Sequence, residues 1–248
     1  MKFNLKNKDI SNYAYLGGAL IFAFWCISVF EVFASKSYSS FAKAIAFKFT
    51  NDFWSGLIIA LLCFPLFMLL KSVIKKGALS VIKVLFILLV IIQFSLVKYS
   101  LTTLLNLGAD ILGYSFDDAF STVSSSESVS LTYVGSFFIF PILFLITYFL
   151  IKKYLNLKFV VTSVAICILI CGALKLVLPE TSNDIFKNKI AFFTVDIIKF
   201  QNEKSKISAY NFVDRKDYPL LKPFNNPEDV LSPFLETKKE KPNIVVIV

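Results

Sequence analysis

The chain has 248 residues, 56% of them hydrophobic and 17% charged, with 26 basic against 17 acidic residues and no histidine. That balance excludes a water-soluble domain of this size, because the apolar excess has to face lipid. A net charge of +9 raises nucleic acid as a partner, but Arg215 is the only arginine and no basic run carries interleaved aromatics, so nucleic acid is excluded too.

Crossing a hydrocarbon layer of about 30 Å takes about 20 apolar residues in helical form. Five stretches meet this requirement: Tyr13 to Phe33, Phe53 to Leu70, Leu79 to Val97, Leu131 to Ile151 and Phe159 to Leu178. Lys2, Lys6 and Lys8 precede the first, and Val32-Phe33-Ala34 loosely resembles a cleavage site. Its uncharged run from Tyr13 to Phe30 exceeds a signal core, so the span is read as retained. Cys26, Cys63, Cys167 and Cys171 all fall inside apolar runs and read as small packing residues. Pro65 and Pro141 each remove one helical hydrogen bond, which a packed bundle tolerates. Glu31, Lys83 and Lys175 lie near span ends, where a long side chain can snorkel, and only Gln93 is more central. A proton or ion relay needs several acids facing one another at mid-depth, and the spans do not supply them.

Lys and Arg resist translocation, so their distribution sets orientation. Lys2, Lys6, Lys8, Lys71, Lys75, Lys76, Lys83, Lys152, Lys153 and Lys158 fall on one side, against Lys36, Lys43, Lys48, Lys98 and Lys175 on the other. The N-terminus is expected in the cytoplasm of a bacterial cell and, after an odd number of spans, the tail from Pro179 outside. Basicity then records topology and contact with anionic membrane lipids.

The long connection from Lys98 to Ser130 mixes apolar anchors with Asp110, Asp117 and Asp118 and reads as an interfacial loop. After the fifth span, Ile185, Phe186, Ile190, Phe193, Ile197 and Phe200 recur every three to four residues, with Lys187, Lys189, Asp196 and Lys199 between them. This predicts an amphipathic helix along the membrane surface, its Ile and Phe face in lipid and its lysines in water. Pro219, Pro223, Pro227 and Pro233 mark an extended connector. The end of the sequence passes from Lys238-Lys239-Glu240-Lys241-Pro242 to Asn243-Ile244-Val245-Val246-Ile247-Val248, a β-branched run suited to a central strand of a parallel sheet. With no ladder partner elsewhere in the tail, it reads as the opening strand of a further α/β domain rather than as a sticky terminus.

Three features carry a family resemblance: five spans with the tail outside, the segment Leu107-Gly-Ala-Asp-Ile-Leu-Gly-Tyr-Ser115, and the connector Asp217-Tyr-Pro-Leu-Leu-Lys-Pro223 leading through Asp229-Val-Leu-Ser-Pro-Phe234 to Lys241-Pro-Asn-Ile-Val-Val-Ile-Val248. In these the chain resembles the membrane half of bacterial lipoteichoic-acid synthase-like enzymes, membrane-anchored phosphoglycerol transferases of the sulfatase and alkaline-phosphatase superfamily. The resemblance implies a threonine nucleophile and a divalent metal (Mn, Mg or Zn), both in a catalytic domain beyond Val248. No catalytic, substrate-binding or metal residue is therefore assigned within the chain.

The expected architecture is an all-α membrane fold. It comprises a five-helix transmembrane bundle over 1–178, an extracytoplasmic amphipathic helix and connector over 179–241, and the first strand of a truncated sulfatase-like domain at 242–248. The expected function is to anchor that domain beside envelope lipids, its partners being membrane lipids and the catalytic domain itself. The alternatives are the anchor of a phosphoethanolamine transferase and a small polytopic transporter or structural subunit.

Overall fold

The computed structural model describes residues 8–35, 40–74, 77–113 and 131–209. The expected strand at 242–248, the proline connector, and Asp117 and Asp118 lie outside the described residues. Everything described is helix, 3-10 turn or short link, with no strand among the described residues. Five helices are long and apolar enough to cross a membrane: α1 (Lys8–Ala34), α2 (Phe41–Ile74), α3 (Ala78–Thr103), α4 (Leu131–Tyr154) and α5 (Leu157–Val177). This is the architecture of a multi-pass membrane protein. Short 3-10 turns at Pro179–Ser182 and Asp184–Phe186 lead to α6 (Lys189–Ala209).

All five predicted spans are present, most of them longer than their apolar runs. The largest difference is in α2, which begins at Phe41 rather than Phe53. At about 1.5 Å per residue, 34 residues make a rod of about 51 Å, well beyond a hydrocarbon layer of about 30 Å. The added segment carries Lys43, Lys48, Asn51 and Asp52, a composition that reads as loop. It is helical because the last three turn into the protein and find partners there.

The bundle is built around α1, which packs on each of the other four spans. Small residues permit this. Gly17 and Gly56 lie where α1 and α2 approach closely, and a Cβ on Gly56 would stand 2.8 Å from Ile21 Cγ1. The main core joins Leu16, Leu20, Phe24 and Ile27 of α1 to Ile82, Phe86, Val90 and Phe94 of α3 and to Phe140, Phe144 and Tyr148 of α4. Tyr13 stacks on Phe67 at 4.9 Å and donates its hydroxyl to the Ala60 carbonyl at 2.5 Å, hiding one polar group inside an apolar layer. Pro65 and Pro141 both sit inside unbroken helices.

Outward, the spans present what only lipid or another apolar surface can cover. Leu61, Leu62 and Leu69 of α2 and Leu169 and Leu176 of α5 are among many large exposed hydrophobic side chains. The two ends of the bundle differ. Where α1 starts and α2 finishes, Lys71 pairs with Asp9 at 2.9 Å, half exposed. Where α1 finishes and α2 begins, here called the distal end, the polar groups are buried. The contacts divide the chain into two units, Met1–Phe200 and Gln201–Val248, so the first three turns of α6 belong with the bundle. Of the second unit only the helical residues 201–209 are described.

Candidate functional site: a buried polar latch at the distal end

Two acids and two lysines converge at the distal end. Glu31, in the last turn of α1, receives Lys48 of α2 at 2.7 Å on one oxygen and Lys189 of α6 at 3.2 Å on the other. Glu31 is 3% exposed and Lys189 4%. This overturns two expectations. Glu31 does not snorkel, because two ammonium groups come to it inside the protein. Lys189 does not lie on a wet face of the surface helix, because it is the first residue of α6 and points into the bundle. Burial pushes the Lys189 ammonium below its ordinary pKa and Lys48 adds to the shift, while Glu31 and Asp52 oppose it. Its remaining contact is with Asn106 Oδ1 at 2.5 Å.

Beside this triad, Asp52 accepts the Ser28 hydroxyl at 2.5 Å and the Asn188 amide at 2.8 Å. Asn188 also caps α6, its Oδ1 accepting the Ala191 N–H at 3.2 Å. That cap explains why the helix starts at Lys189 and not at Ile185, where the apolar repeat begins. Another unpaired N–H of the first turn, on Ile190, donates to Gln93 Oε1 of α3 at 3.0 Å. Gln93 is therefore no isolated polar group in a span. Asn51 donates to the carbonyls of Thr181 and Phe186, at 2.8 and 3.0 Å, fixing both 3-10 turns against α2. Asn106 donates to the Asp184 carbonyl at 3.1 Å.

Together these contacts clamp residues 181–190 to α1, α2, α3 and the segment after α3. Unpaired, each buried charge would cost several kcal/mol; as two acids facing two lysines, the set is neutral and its oxygens are used. The predicted apolar stripe of α6 is split as a result. Phe186 packs edge-on against Phe47 at 5.1 Å and Ile190 joins the main core, while Ile185 and Phe200 stay exposed. Further along α6, Asp196 accepts the Ala109 N–H at 2.7 Å, and its carboxylate fills the place that a Cβ on Gly108 would take. Gly108 is thus required by the close approach of α6 to the 3-10 turn Ala109–Gly113.

Two clefts flank the latch. One of about 740 Å³ lies between the ends of α1 and α3 and the start of α6, bordered by Glu31, Asn106, Asp110, Asp184 and Lys189. The other, of about 330 Å³, lies between α2, the end of α5 and α6, bordered by Trp54, Lys175, Lys187, Asp196 and Lys199. Among the described residues no group of three or more His, Cys, Asp or Glu side chains could hold a metal ion. The two carboxylates that do meet are taken up by lysines and neutral donors, so the latch does not fit a divalent cation. All four cysteines are free thiols, Cys171 buried and the others partly so.

Sequence reasoning missed the latch because its members were read one at a time. The available signal was an unusual density of amides and charges, Lys48, Asn51, Asp52, Asn188 and Lys189, beside the ends of apolar runs. Comparison with family models, curated proteins and solved structures gave no match. Fold and site define a polytopic helical membrane protein whose helix α6 is locked to its bundle by buried side chains.

Proposed function

We propose that the chain is the membrane anchor of a sulfatase-like, metal-dependent phosphoglycerol transferase or hydrolase acting on envelope lipids or glycopolymers. In this reading the N-terminus is cytoplasmic and the distal end faces outward. One observation carries the reading beyond the sequence resemblance: α6, through which the chain leaves the spans, is held at its first turn by contacts to three transmembrane helices. An anchor needs this, because clamping the helix fixes the point from which the connector to the domain starts, so that the connector's length alone sets how far that domain can stray from the lipid headgroups. The run Asn243–Val248, with its likeness to the opening strand of that catalytic domain, supports the same reading.

The test is enzymatic. A chain continued past Val248 should release diacylglycerol from phosphatidylglycerol in a manganese-dependent way, and residues 1–248 should not. Release from phosphatidylethanolamine instead would favour the phosphoethanolamine transferase. Manganese-dependent turnover by residues 1–248 that survives repurification would refute the anchor reading.

One observation bears on the transporter alternative, since Glu31 and Asp52 are buried acids that lie close together. Glu31 lies in the last turn of α1 and Asp52 just before the apolar run of α2, both are neutralised by Lys48 and Lys189, and the core that continues through the bundle, with Phe24, Ile27, Phe86 and Val90, is apolar. A latch accounts for that placement better than an ion path does.

A further inference from the structure

We infer that the cleft between α2, the end of α5 and α6 binds the phosphodiester headgroup of an anionic phospholipid from the leaflet at the distal end. The inference goes beyond the anchor reading and does not depend on which domain follows the helices. It rests on charge, on an unmet donor and on the apolar surface next to the cleft.

Three lysines and two aspartates border the cleft, and they are not equivalent. Lys187 is neutralised by Asp184 at 2.6 Å, and Asp196 is held by the Ala109 N–H. Lys175, in the last turn of α5, and Lys199, on α6, have no carboxylate within 4 Å among the described residues. Both are exposed at the cleft, so they leave a positive mouth at the level where headgroups lie. The cleft on the other side of the latch offers no such mouth: its one bordering lysine, Lys189, is bound to Glu31, and Asp110 and Asp184 border it as well.

Trp54 forms part of the wall. Its Nε1–H is buried and has no acceptor among the described residues, while the Lys175 ammonium lies 5.9 Å from its ring centroid. A phosphate oxygen between Lys175 and Lys199 supplies an acceptor of the kind this N–H lacks. Tryptophan and lysine together at a span end are also suited to the headgroup layer. Below them Ile58, then Leu61 and Leu62, continue down α2 as exposed apolar surface along which acyl chains can lie. A soluble phosphate ester would use the lysines but not this surface, which is why the occupant is assigned as a lipid.

The experiment uses the full chain in nanodiscs of phosphatidylcholine. In the Trp25→Phe variant Trp54 is the only tryptophan. A minor fraction of brominated phosphatidylglycerol should quench its fluorescence more than the same fraction of brominated phosphatidylcholine. Lys175→Gln and Lys199→Gln should each weaken that preference about fivefold, as expected for one lysine at a charged headgroup. Lys152→Gln with Lys153→Gln, at the opposite end, should leave it unchanged. Native mass spectrometry of the chain with both tryptophans should agree, phosphatidylglycerol adducts being lost from the Lys175→Gln/Lys199→Gln double variant. Equal quenching by the two lipids, or a preference that survives both lysine substitutions, would overturn the inference. Protection by inorganic phosphate without any lipid preference would overturn the assignment to lipid.

Discussion

Replacing Glu31 by Gln tests whether the latch holds α6 by charge. The substitution keeps shape and some hydrogen bonding but takes the cluster from neutral to +1, leaving Lys48 and Lys189 buried without their shared carboxylate. Breaking a buried pair by removing one partner costs about 3–5 kcal/mol. The lower end applies here, because Lys189 keeps its bond to Asn106 and Asp52 still attracts Lys48. About 3 kcal/mol raises the population of undocked α6 by about 10²-fold. Hydrogen exchange at the Ile190 and Ala191 amides reads this directly, since one donates to Gln93 and the other to Asn188 only while α6 is docked. Adding Lys189→Met to Glu31→Gln should recover most of the protection, because the remaining pair, Lys48 and Asp52, is again neutral. Protection in Glu31→Gln within a factor of about three of the wild type, below about 0.7 kcal/mol, would refute the argument.

The same geometry sets accessibility. In a background without native cysteines, Lys199→Cys should react readily with a water-soluble maleimide and Lys189→Cys slowly, whereas a helix lying free on the surface would expose both. Packing between α1 and α2 predicts that Gly56→Leu, which forces a side chain into Ile21, lowers thermal stability in detergent by about 1–3 kcal/mol. Gly135→Leu, where a Cβ meets nothing within 4 Å among the described residues, should be close to neutral. For orientation, cysteines introduced at Ser35 and Ser125 should be labelled by an impermeant maleimide on intact cells; labelling of an N-terminal site with protection of these two would reverse the topology.

The spans and their number were legible in the sequence, because a helix surrounded by lipid must be apolar over its whole circumference for about 20 residues, a local and redundant signal. Tyr13 to Phe33, Leu79 to Val97 and Phe159 to Leu178 needed no tertiary information. Legibility failed where polar residues stayed helical, in Phe41 to Asp52, since a charged flank looks the same whether it goes to water or to a partner. It failed again at Lys189, whose place in the apolar repeat of α6 gave it a wet face, while its charge was claimed by a carboxylate 158 positions earlier. Only the folded chain decides such pairings. Burying Glu31 is unfavourable until Lys48 and Lys189 arrive together, and the density of charges beside the apolar runs does not say which of them pair, because the condition is met by three helices at once.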